Sequence, residues 1–250
     1  MIRLGVYVHK TNLDGEEFTQ DVIEGDDVSE FLGIVKYEPP VPACLAGVVK
    51  GPFPSAIPKT DEERIQNLTN EWPVLREYVY EVTEKLEGSS MTVFKINGEF
   101  GVCSRNLNLK ETEGNTLWAL ARKYDIETKM FGKLDNCAIS GEVIGEGVQG
   151  NHYGIKGQDF YVFSIYDIAV GEYVGPEFRI ELCKQLGLKH VPVIMERFLP
   201  AEAIELTLTR ANGMSAINPN KLREGLVFKR IGGQEHWKAV SNDYLLKADK

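Results

Sequence analysis

Hydrophobic and polar residues alternate with a period of two through the segment 78–87, the pattern typical of a half-buried β-strand. The alternation puts Glu84 and Leu86 on one face of this strand and Lys85 and Glu87 on the other. We therefore expect the side chains of Lys85 and Glu87 to face one pocket.

Further strands and one hairpin are predicted by the same alternation. Asn97-Gly98 is the strongest short signal for a two-residue hairpin turn, and it joins the strands predicted at 91–96 and 99–104. Four more strands are predicted downstream, at 138–144, 160–168, 225–230 and 236–240.

The helix signals lie between these strands. Thr60 followed by Glu63 forms a capping-box pattern, which predicts a helix over 60–68. Pro176 in a first turn and Gly187 just past a last turn predict a helix over 176–186. Two more helices are predicted, at 115–124 and 201–209. Because strands and helices mix without regular strand–helix–strand alternation, the predicted fold class is α+β with largely antiparallel sheets.

The N-terminal part differs in composition from the rest of the chain. Residues 1–38 are acidic and weakly patterned, and six of the chain's 11 prolines lie between 39 and 58. Proline removes backbone donors and breaks helices and central strands, so this stretch is predicted to be an extended linker. The predicted organisation is an N-terminal segment with a linker over 1–58, followed by one domain over 59–250.

The composition fits a globular protein in a reducing compartment. The chain has 250 residues, 43% hydrophobic and 26% charged, with no apolar run near the ~20 residues that cross a bilayer and no signal-peptide core. The four cysteines form no CxxC pair and are interpreted as buried thiols: Cys44, Cys103, Cys137 and Cys183. We expect a cytoplasmic or other reducing intracellular location and no membrane partner.

The net charge of -9 argues weakly against a nucleic-acid partner, but the charges are unevenly distributed. Residues 1–84 carry 16 acidic and 7 basic side chains, whereas residues 85–250 carry 21 of each. Residues 221–250 carry seven bases against four acids. A neutral body with a basic end can hold phosphates, because the local field matters more than the total charge.

The segment Lys85-Leu86-Glu87-Gly88 is the candidate for covalent chemistry. A lysine attacks phosphorus only as the neutral amine, and its ordinary pKa is about 10.4. Nearby cations such as Lys229 or Lys238, a bound metal, or a partly desolvated pocket would favour that form. Glu87 is better used on a substrate hydroxyl than on Lys85. Four such residues alone are usually a solvated turn, so the interpretation depends on the segments downstream of them in the chain.

These residues resemble the first motif, Lys-x-Asp/Glu-Gly, of the covalent nucleotidyltransferases, which comprise ATP-dependent RNA and DNA ligases and mRNA capping enzymes. Later segments resemble the further motifs of that superfamily in the right order: 104–106, 141–145, 160–163, 224–229 and 237–241. The sequence at 147–151 is most similar to that of RNA ligases of the RNA ligase 2 type, in the branch with an N-terminal OB module. The resemblance covers roughly residues 55–250 and implies the nucleotidyltransferase fold, antiparallel sheets flanked by helices.

The resemblance also implies roles for the residues that bind the nucleotide. Lys85 would form a phosphoamide with AMP, and Glu87 and Glu142 would accept hydrogen bonds from ribose hydroxyls or order the pocket. Arg105 would contact a phosphate with its fork of donors. Phe163 would stack on adenine, a contact worth ~1–3 kcal/mol.

The remaining implied roles concern charge. Glu224 would position a metal, and Lys229 and Lys238 would neutralise phosphate charge as it builds up in the transition state. The implied cofactors are ATP and Mg²⁺ or Mn²⁺. Structural interpretations stay open for Glu142 as a turn residue, Phe163 as a core residue and Arg105 as the partner of a nearby acid.

Two features depart from the family pattern. The fifth motif often has two lysines one residue apart, but position 240 is Val240, so either a second lysine is absent or Lys247 takes its place. A full OB module needs more chain than residues 1–55 offer, which leaves at most a remnant of one. The four histidines are scattered and receive no ligand role.

The sequence thus predicts an ATP-dependent RNA ligase that acts as a monomer on RNA with 3′-hydroxyl and 5′-phosphate ends. It would work through a lysyl-AMP intermediate and an adenylylated RNA end. A DNA ligase or a GTP-dependent capping enzyme of the same superfamily is the nearest alternative. A nucleotide- or RNA-binding module without turnover is the alternative from another class.

Overall fold

The structure is a computed structural model that describes residues 6–11, 15–23, 26, 28–33, 47–132 and 134–248. The chain divides into two compact units, Met1–Pro42 and Ala43–Lys250. In the first unit, strands β1 (Val6–Thr11) and β2 (Glu17–Val22) form an antiparallel pair, and a short helix α1 (Ser29–Leu32) follows.

The second unit contains the remaining elements. Its strands are β3 (Val49–Pro52), β4 (Glu63–Arg64), β5 (Tyr80–Lys85), β6 (Ser89–Ile96), β7 (Glu99–Cys103), β8 (Leu107–Leu109), β9 (Cys137–Gly145), β10 (Gln158–Asp167), β11 (Glu172–Tyr173), β12 (Lys189–His190), β13 (Val193–Phe198), β14 (Gly225–Arg230) and β15 (His236–Val240). Its α-helices are α2 (Trp72–Leu75), α3 (Thr116–Lys123), α4 (Ile126–Met130), α5 (Pro176–Leu186), α6 (Ile204–Leu208) and α7 (Asn242–Ala248).

These strands form two sheets, which confirms the predicted α+β class. The larger sheet has the order β11-β10-β9-β6-β7-β8-β3, with β12 added parallel to β10. The smaller sheet has the order β13-β5-β14-β15-β4. All neighbours pair antiparallel except β10 with β12 and β15 with β4.

Several local predictions are confirmed. Asn97 and Gly98 have φ of 50° and 83°, as a tight turn between β6 and β7 requires. Helix α5 spans the predicted residues and ends at Gly187 in the left-handed region. Asn115 caps α3 by accepting hydrogen bonds from the backbone N–H groups of Leu117 and Trp118.

The helix predicted over 60–68 is wrong. The Thr60 hydroxyl lies 3.1 Å from the Ser90 hydroxyl instead of capping a helix. Residues 63–64 form β4, whose backbone pairs with β15, and only Ile65–Asn67 makes a 3₁₀ turn. Ile65 is fully buried in the core of the smaller sheet. Pairing with a distant strand therefore overrides the local capping signal.

Each sheet has its own hydrophobic core. Helices α3, α4 and α5 pack their apolar side chains against the larger sheet. The core of the smaller sheet contains Trp72, Tyr80, Phe228 and Trp237, and the last two rings stack with centroids 3.9 Å apart. Two separately stabilised sheets can thus hold a cavity between them.

The proline-rich stretch contributes a strand to the larger sheet, because β3 pairs with β8. The contact-based division of the chain falls after Pro42, whereas the sequence puts the boundary after residue 58. Cys103, Cys137 and Cys183 are buried free thiols, and Cys44 lies outside the described residues. Within the described part of the chain, every helix is too short or too polar to cross a membrane.

Candidate active site

A cavity of about 1040 Å³ is lined by residues of both sheets. Six of the eight predicted site residues are part of this lining: Lys85, Arg105, Glu142, Phe163, Lys229 and Lys238. Glu87 and Glu224 are outside the lining, although Glu224 contacts Lys85. The structure therefore brings most of the widely separated motifs to one place.

The strand register explains why three lysines meet there. Lys85 on β5 is opposite Gly225 on β14, and Val227 on β14 is opposite both Thr83 and Lys238. Directly opposed residues point to the same face of a sheet, and so do residues two apart. The cavity-facing side of the smaller sheet therefore includes Lys85, Lys229 and Lys238.

Lys85 Nζ donates a 2.6 Å hydrogen bond to Glu224 Oε1, and both side chains are partly exposed. Glu224 and Lys229 are five residues apart, which in one regular strand would put them on opposite faces. Strand β14 begins only at Gly225, so Glu224 is free of that alternation. A Cβ at position 225 would lie 2.2 Å from the Ala239 carbonyl oxygen, so only glycine fits this close pairing.

Glu142 lies on β9, across the cavity from the smaller sheet. Burial raises the pKa of its carboxyl group to about 8, against the favourable charge of Lys85. The nearby Glu224 carboxylate raises it further. An added cation would stabilise the charged form of Glu142, which burial and the Glu224 carboxylate disfavour.

Lys229 is buried beneath Phe163, donating a hydrogen bond to its backbone carbonyl, with Nζ 5.5 Å from the ring centroid. Burial lowers the pKa of Lys229 to about 7, and the charge of Arg179 lowers it further. The pKa of Lys238 is also lowered, first by burial and then by the charge of Lys85. Lys229 and Lys238 are therefore easier to deprotonate than ordinary lysines, and they line the cavity together with the acidic residues Asp61, Glu62, Glu84 and Glu142.

Arg105 forms a bidentate ion pair with Asp61, with N–O distances of 2.7 and 3.2 Å, and its side chain is 65% exposed. A second arginine, Arg64, lines the cavity and is opposite Lys238 in the β4–β15 pairing. Sequence reasoning missed Arg64 because its position depends on that pairing and no local pattern signals it.

Glu87 does not face the cavity as predicted, because β5 ends at Lys85 and the alternation stops there. Its carboxylate lies 3.2 Å from His152 Nδ1, and its backbone N–H donates to the Tyr153 hydroxyl. Gly88 approaches β9 closely, since a Cβ there would be 2.3 Å from the Val143 carbonyl oxygen. The ribose role of Glu87 stays a prediction.

The donor set suits a hard divalent cation shared with substrate phosphates. Among the described residues, no group of three or more His, Cys, Asp or Glu side chains forms a ready-made metal site. Mg²⁺ and Mn²⁺ in phosphate-transferring sites commonly use one or two carboxylates plus the phosphates, and Glu224 and Glu142 can supply those carboxylates. The side chain of Lys247 lies outside the described residues, so its substitution for a second lysine stays untested.

Two largely antiparallel sheets, flanked by helices and lining one lysine-containing cavity, form the arrangement that the sequence resemblance to the covalent nucleotidyltransferases implies. The sequence model of the RNA ligase family matches residues 79–248. Two structures of Naegleria gruberi RNA ligase, an apo variant and a complex with pyrophosphate, each share 45% identity over 90% of this chain and 68% of theirs, with a TM-score of 0.77. A variant of that ligase with ATP and manganese shares 40% identity over 97% of this chain and 76% of its own, with a TM-score of 0.78. No curated protein matches the chain by sequence.

The chain belongs to the RNA ligase family. The predicted family, fold and enzyme class are therefore confirmed. The roles of the individual site residues stay predictions.

Proposed function

We propose that this ATP-dependent RNA ligase joins a 3′-hydroxyl to a 5′-phosphate RNA end through a lysyl-AMP formed at Lys85. In the first step Lys85 Nζ bonds to the α-phosphorus of ATP, pyrophosphate leaves, and the amine proton passes to solvent. In the second step an oxygen of the RNA 5′-phosphate takes the AMP, the phosphorus–nitrogen bond breaks, and Lys85 regains a proton. In the third step the 3′-hydroxyl attacks the 5′-phosphorus, releasing AMP and its own proton.

The observation that carries this proposal is that Lys85, which contacts Glu224, lines a cavity together with four other basic side chains, Arg64, Arg105, Lys229 and Lys238. Attack requires a free lone pair on Nζ, so the 2.6 Å contact with Glu224 has to open first. A divalent cation held by Glu224 and Glu142 would neutralise phosphate charge. Lys238 on β15 is separated from Lys85 on β5 by strand β14, and the two charges repel, since the charge of Lys85 helps to lower the pKa of Lys238.

Some of the other lining residues would contact the adenine base of ATP, and others would contact its phosphates. Phe163 offers an aromatic face for adenine. Arg64 and Lys238, side by side on β4 and β15, form a pair of cations for the triphosphate. Structures of the Naegleria ligase with ATP and manganese, with AMP and manganese, and with pyrophosphate support ATP as the nucleotide and pyrophosphate as the leaving group.

The test is covalent labelling with α-³²P-ATP and Mn²⁺. Wild-type protein should acquire acid-labile, alkali-resistant label, and Lys85→Met should acquire none. Lys156→Met, an exposed lysine outside the cavity lining, is the matched control and should label like wild type. Equal label on the Lys85→Met protein would reject Lys85 as the nucleophile.

The RNA ends are tested with labelled strands. A nicked duplex with 3′-hydroxyl and 5′-phosphate ends should be sealed with a transient adenylylated 5′ end. The same strands with a 5′-hydroxyl should remain open. Sealing of 5′-hydroxyl ends would contradict the proposed end chemistry.

A further inference from the structure

Glu87 lies against side chains from two other segments of the chain, residues 152–153 and helix α7. His152 Nδ1 lies 3.2 Å from Glu87 Oε2, and burial and then the same carboxylate raise the pKa of the Tyr244 hydroxyl on α7. The Glu87 backbone N–H donates a 2.7 Å hydrogen bond to the Tyr153 hydroxyl. These groups, which we call the Glu87 clamp, are Glu87, His152, Tyr153 and Tyr244.

The His152 ring is oriented from both sides. Its Nε2 atom lies 2.8 Å from the Leu222 carbonyl oxygen, while Nδ1 faces Glu87. The ring also packs edge-on against Tyr153 and Tyr244, at centroid distances of 4.9 and 5.7 Å. An acceptor therefore faces each ring nitrogen: the Leu222 carbonyl at hydrogen-bond distance from Nε2, and the Glu87 carboxylate at ion-pair distance from Nδ1.

The loop that carries His152 contains two non-glycine residues with positive φ. Gln149 and Asn151 have φ of 42° and 52°, in the left-handed region that costs non-glycine residues energy. The Asn151 side chain holds the loop closed, because it accepts from the Ile155 backbone N–H and donates to the Ile155 carbonyl. Strained backbone of this kind persists only where surrounding contacts stabilise it. In this loop the strained conformation places His152 beside Glu87.

The Glu87 clamp fixes the chain directly after Lys85. Lys85 is the last residue of β5, so no strand pairing constrains the backbone of residues 86–88. Leu86 is buried against Ile144 and Tyr153, and Gly88 is pressed against β9. With Glu87 also held, the backbone on the C-terminal side of Lys85 has one position. Misplacing a reacting group by about 1 Å can cost 10²-fold in rate.

We propose that His152 is a positioning residue for the nucleophile: by holding Glu87, it sets the direction from which Lys85 Nζ meets the α-phosphorus. This inference rests on the proposed function. His152 is outside the lining of the cavity and reaches it only through Glu87, the second residue after Lys85. Its loss should therefore lower kcat for lysyl-AMP formation and leave the KM for ATP nearly unchanged.

The chain offers a matched pair of variants that separates the two contacts of the ring. In His152→Asn the amide nitrogen falls near the place of Nδ1 and can still donate to Glu87. In His152→Gln the amide nitrogen falls near the place of Nε2 and can still donate to the Leu222 carbonyl. We expect His152→Gln to lower kcat of adenylylation about 10- to 100-fold, and His152→Asn to recover most of that loss. Tyr244→Phe, which removes one oxygen from the clamp, should lower kcat several-fold.

Labelling with α-³²P-ATP and Mn²⁺ over a range of ATP concentrations distinguishes the outcomes. If wild-type protein forms no lysyl-AMP, the proposed function fails. If wild type labels and His152→Gln labels at the same rate, the positioning role of His152 is rejected. Equal losses in His152→Asn and His152→Gln, with equal falls in melting temperature, would also reject it, because a merely structural role predicts them. In a Glu87→Gln background, His152→Gln should cause no further loss, whereas independent losses would overturn the proposal.

Discussion

At the scale of single residues, the pKa of Lys229 depends on how deeply its side chain is buried and on the charges around it. Its ammonium group is buried, and its pKa falls from about 10.4 in an unfolded chain to about 7. A buried lysine with a lowered pKa destabilises the folded state at low pH, where both states would bind a proton. The penalty is largest below pH 7 and disappears as the pH rises towards 10.4.

We therefore predict that wild-type stability rises with pH relative to Lys229→Met. Between pH 7 and 9.5 the difference in unfolding free energy should change by about 3 kcal/mol, since each pKa unit is worth about 1.4 kcal/mol. Urea denaturation at several pH values measures it. The exposed Lys156→Met variant should run parallel to wild type, and a Lys229→Met curve that also ran parallel would contradict the burial of Lys229.

Residues were predictable from the sequence when their neighbours in the chain identify them. Lys85 stands in a four-residue pattern, and the ordered motifs downstream brought Glu142, Phe163 and Lys238 to attention. Arg64 and His152 have no such context, because each reaches its place through pairing of distant segments. The two-residue period stops at the end of β5, so Glu87 lies outside the cavity lining, and its nucleotide role stays a prediction.

At the scale of elements, the crossing between β5–β6 and β9 depends on one glycine. An alanine Cβ at position 88 would lie 2.3 Å from the Val143 carbonyl oxygen and 2.9 Å from Glu142 Cγ. Backbone must move to admit it, so we predict that Gly88→Ala costs about 1–3 kcal/mol of stability and lowers lysyl-AMP formation. Thermal unfolding and the labelling assay measure the two effects.

Gly51 on β3 is the matched control for Gly88. A Cβ at position 51 meets no atom within 4 Å, and its φ lies outside the left-handed region. Gly51→Ala should therefore leave the melting temperature and the labelling rate nearly unchanged. If Gly88→Ala were as harmless as Gly51→Ala, the close approach of the strands at position 88 would be wrong.

Each edge strand of the smaller sheet carries an arginine, and we expect the two arginines to differ in their effect on ATP binding. Arg64 on β4 lines the cavity beside Lys238, whereas Arg197 on β13, at the other edge, is exposed and outside the lining. We expect Arg64→Ala to raise the KM for ATP about 10-fold or more, because a charge-assisted contact to phosphate is worth about 1.5–3 kcal/mol. Arg197→Ala should leave the KM unchanged, and equal effects of both would contradict a phosphate role for Arg64.

Strands and helices were predictable where residues at their own ends signal a turn or a helix terminus. The Asn97-Gly98 turn and the Pro176 and Gly187 ends of α5 need no information from elsewhere. The capping box at Thr60 failed because β4 pairs with β15, which follows it by more than 170 positions. Sheet order and register could not be predicted for the same reason: they depend on contacts between distant parts of the chain.

On the scale of the whole second unit, residues of both sheets line the cavity, and a buried ion pair joins the two sheets beside it. Arg179 on α5, which packs on the larger sheet, donates to Glu81 on β5 of the smaller sheet, and both side chains are almost fully buried. Arg179 Nε also donates to His190 Nε2, 2.9 Å away, and His190 Nδ1 lies 2.6 Å from the Val191 carbonyl oxygen. Burial lowers the pKa of His190 to about 3, so the ring stays neutral and its Nε2 accepts the hydrogen bond from Arg179.

This pair should couple strongly when the two residues are changed together. Arg179→Met leaves a buried carboxylate without a partner, so we predict a loss of about 3–5 kcal/mol in unfolding free energy. Adding Glu81→Met removes the orphaned charge and should restore most of that loss, because buried pairs are often replaceable by apolar side chains of similar size. The exposed pair of Arg122 and Glu111, 2.7 Å apart, is the control and should couple by less than about 1 kcal/mol. If urea denaturation gave additive losses for Arg179 and Glu81, the two sheets would be held together by their apolar contacts, and the ion pair would have no part in setting the cavity between them.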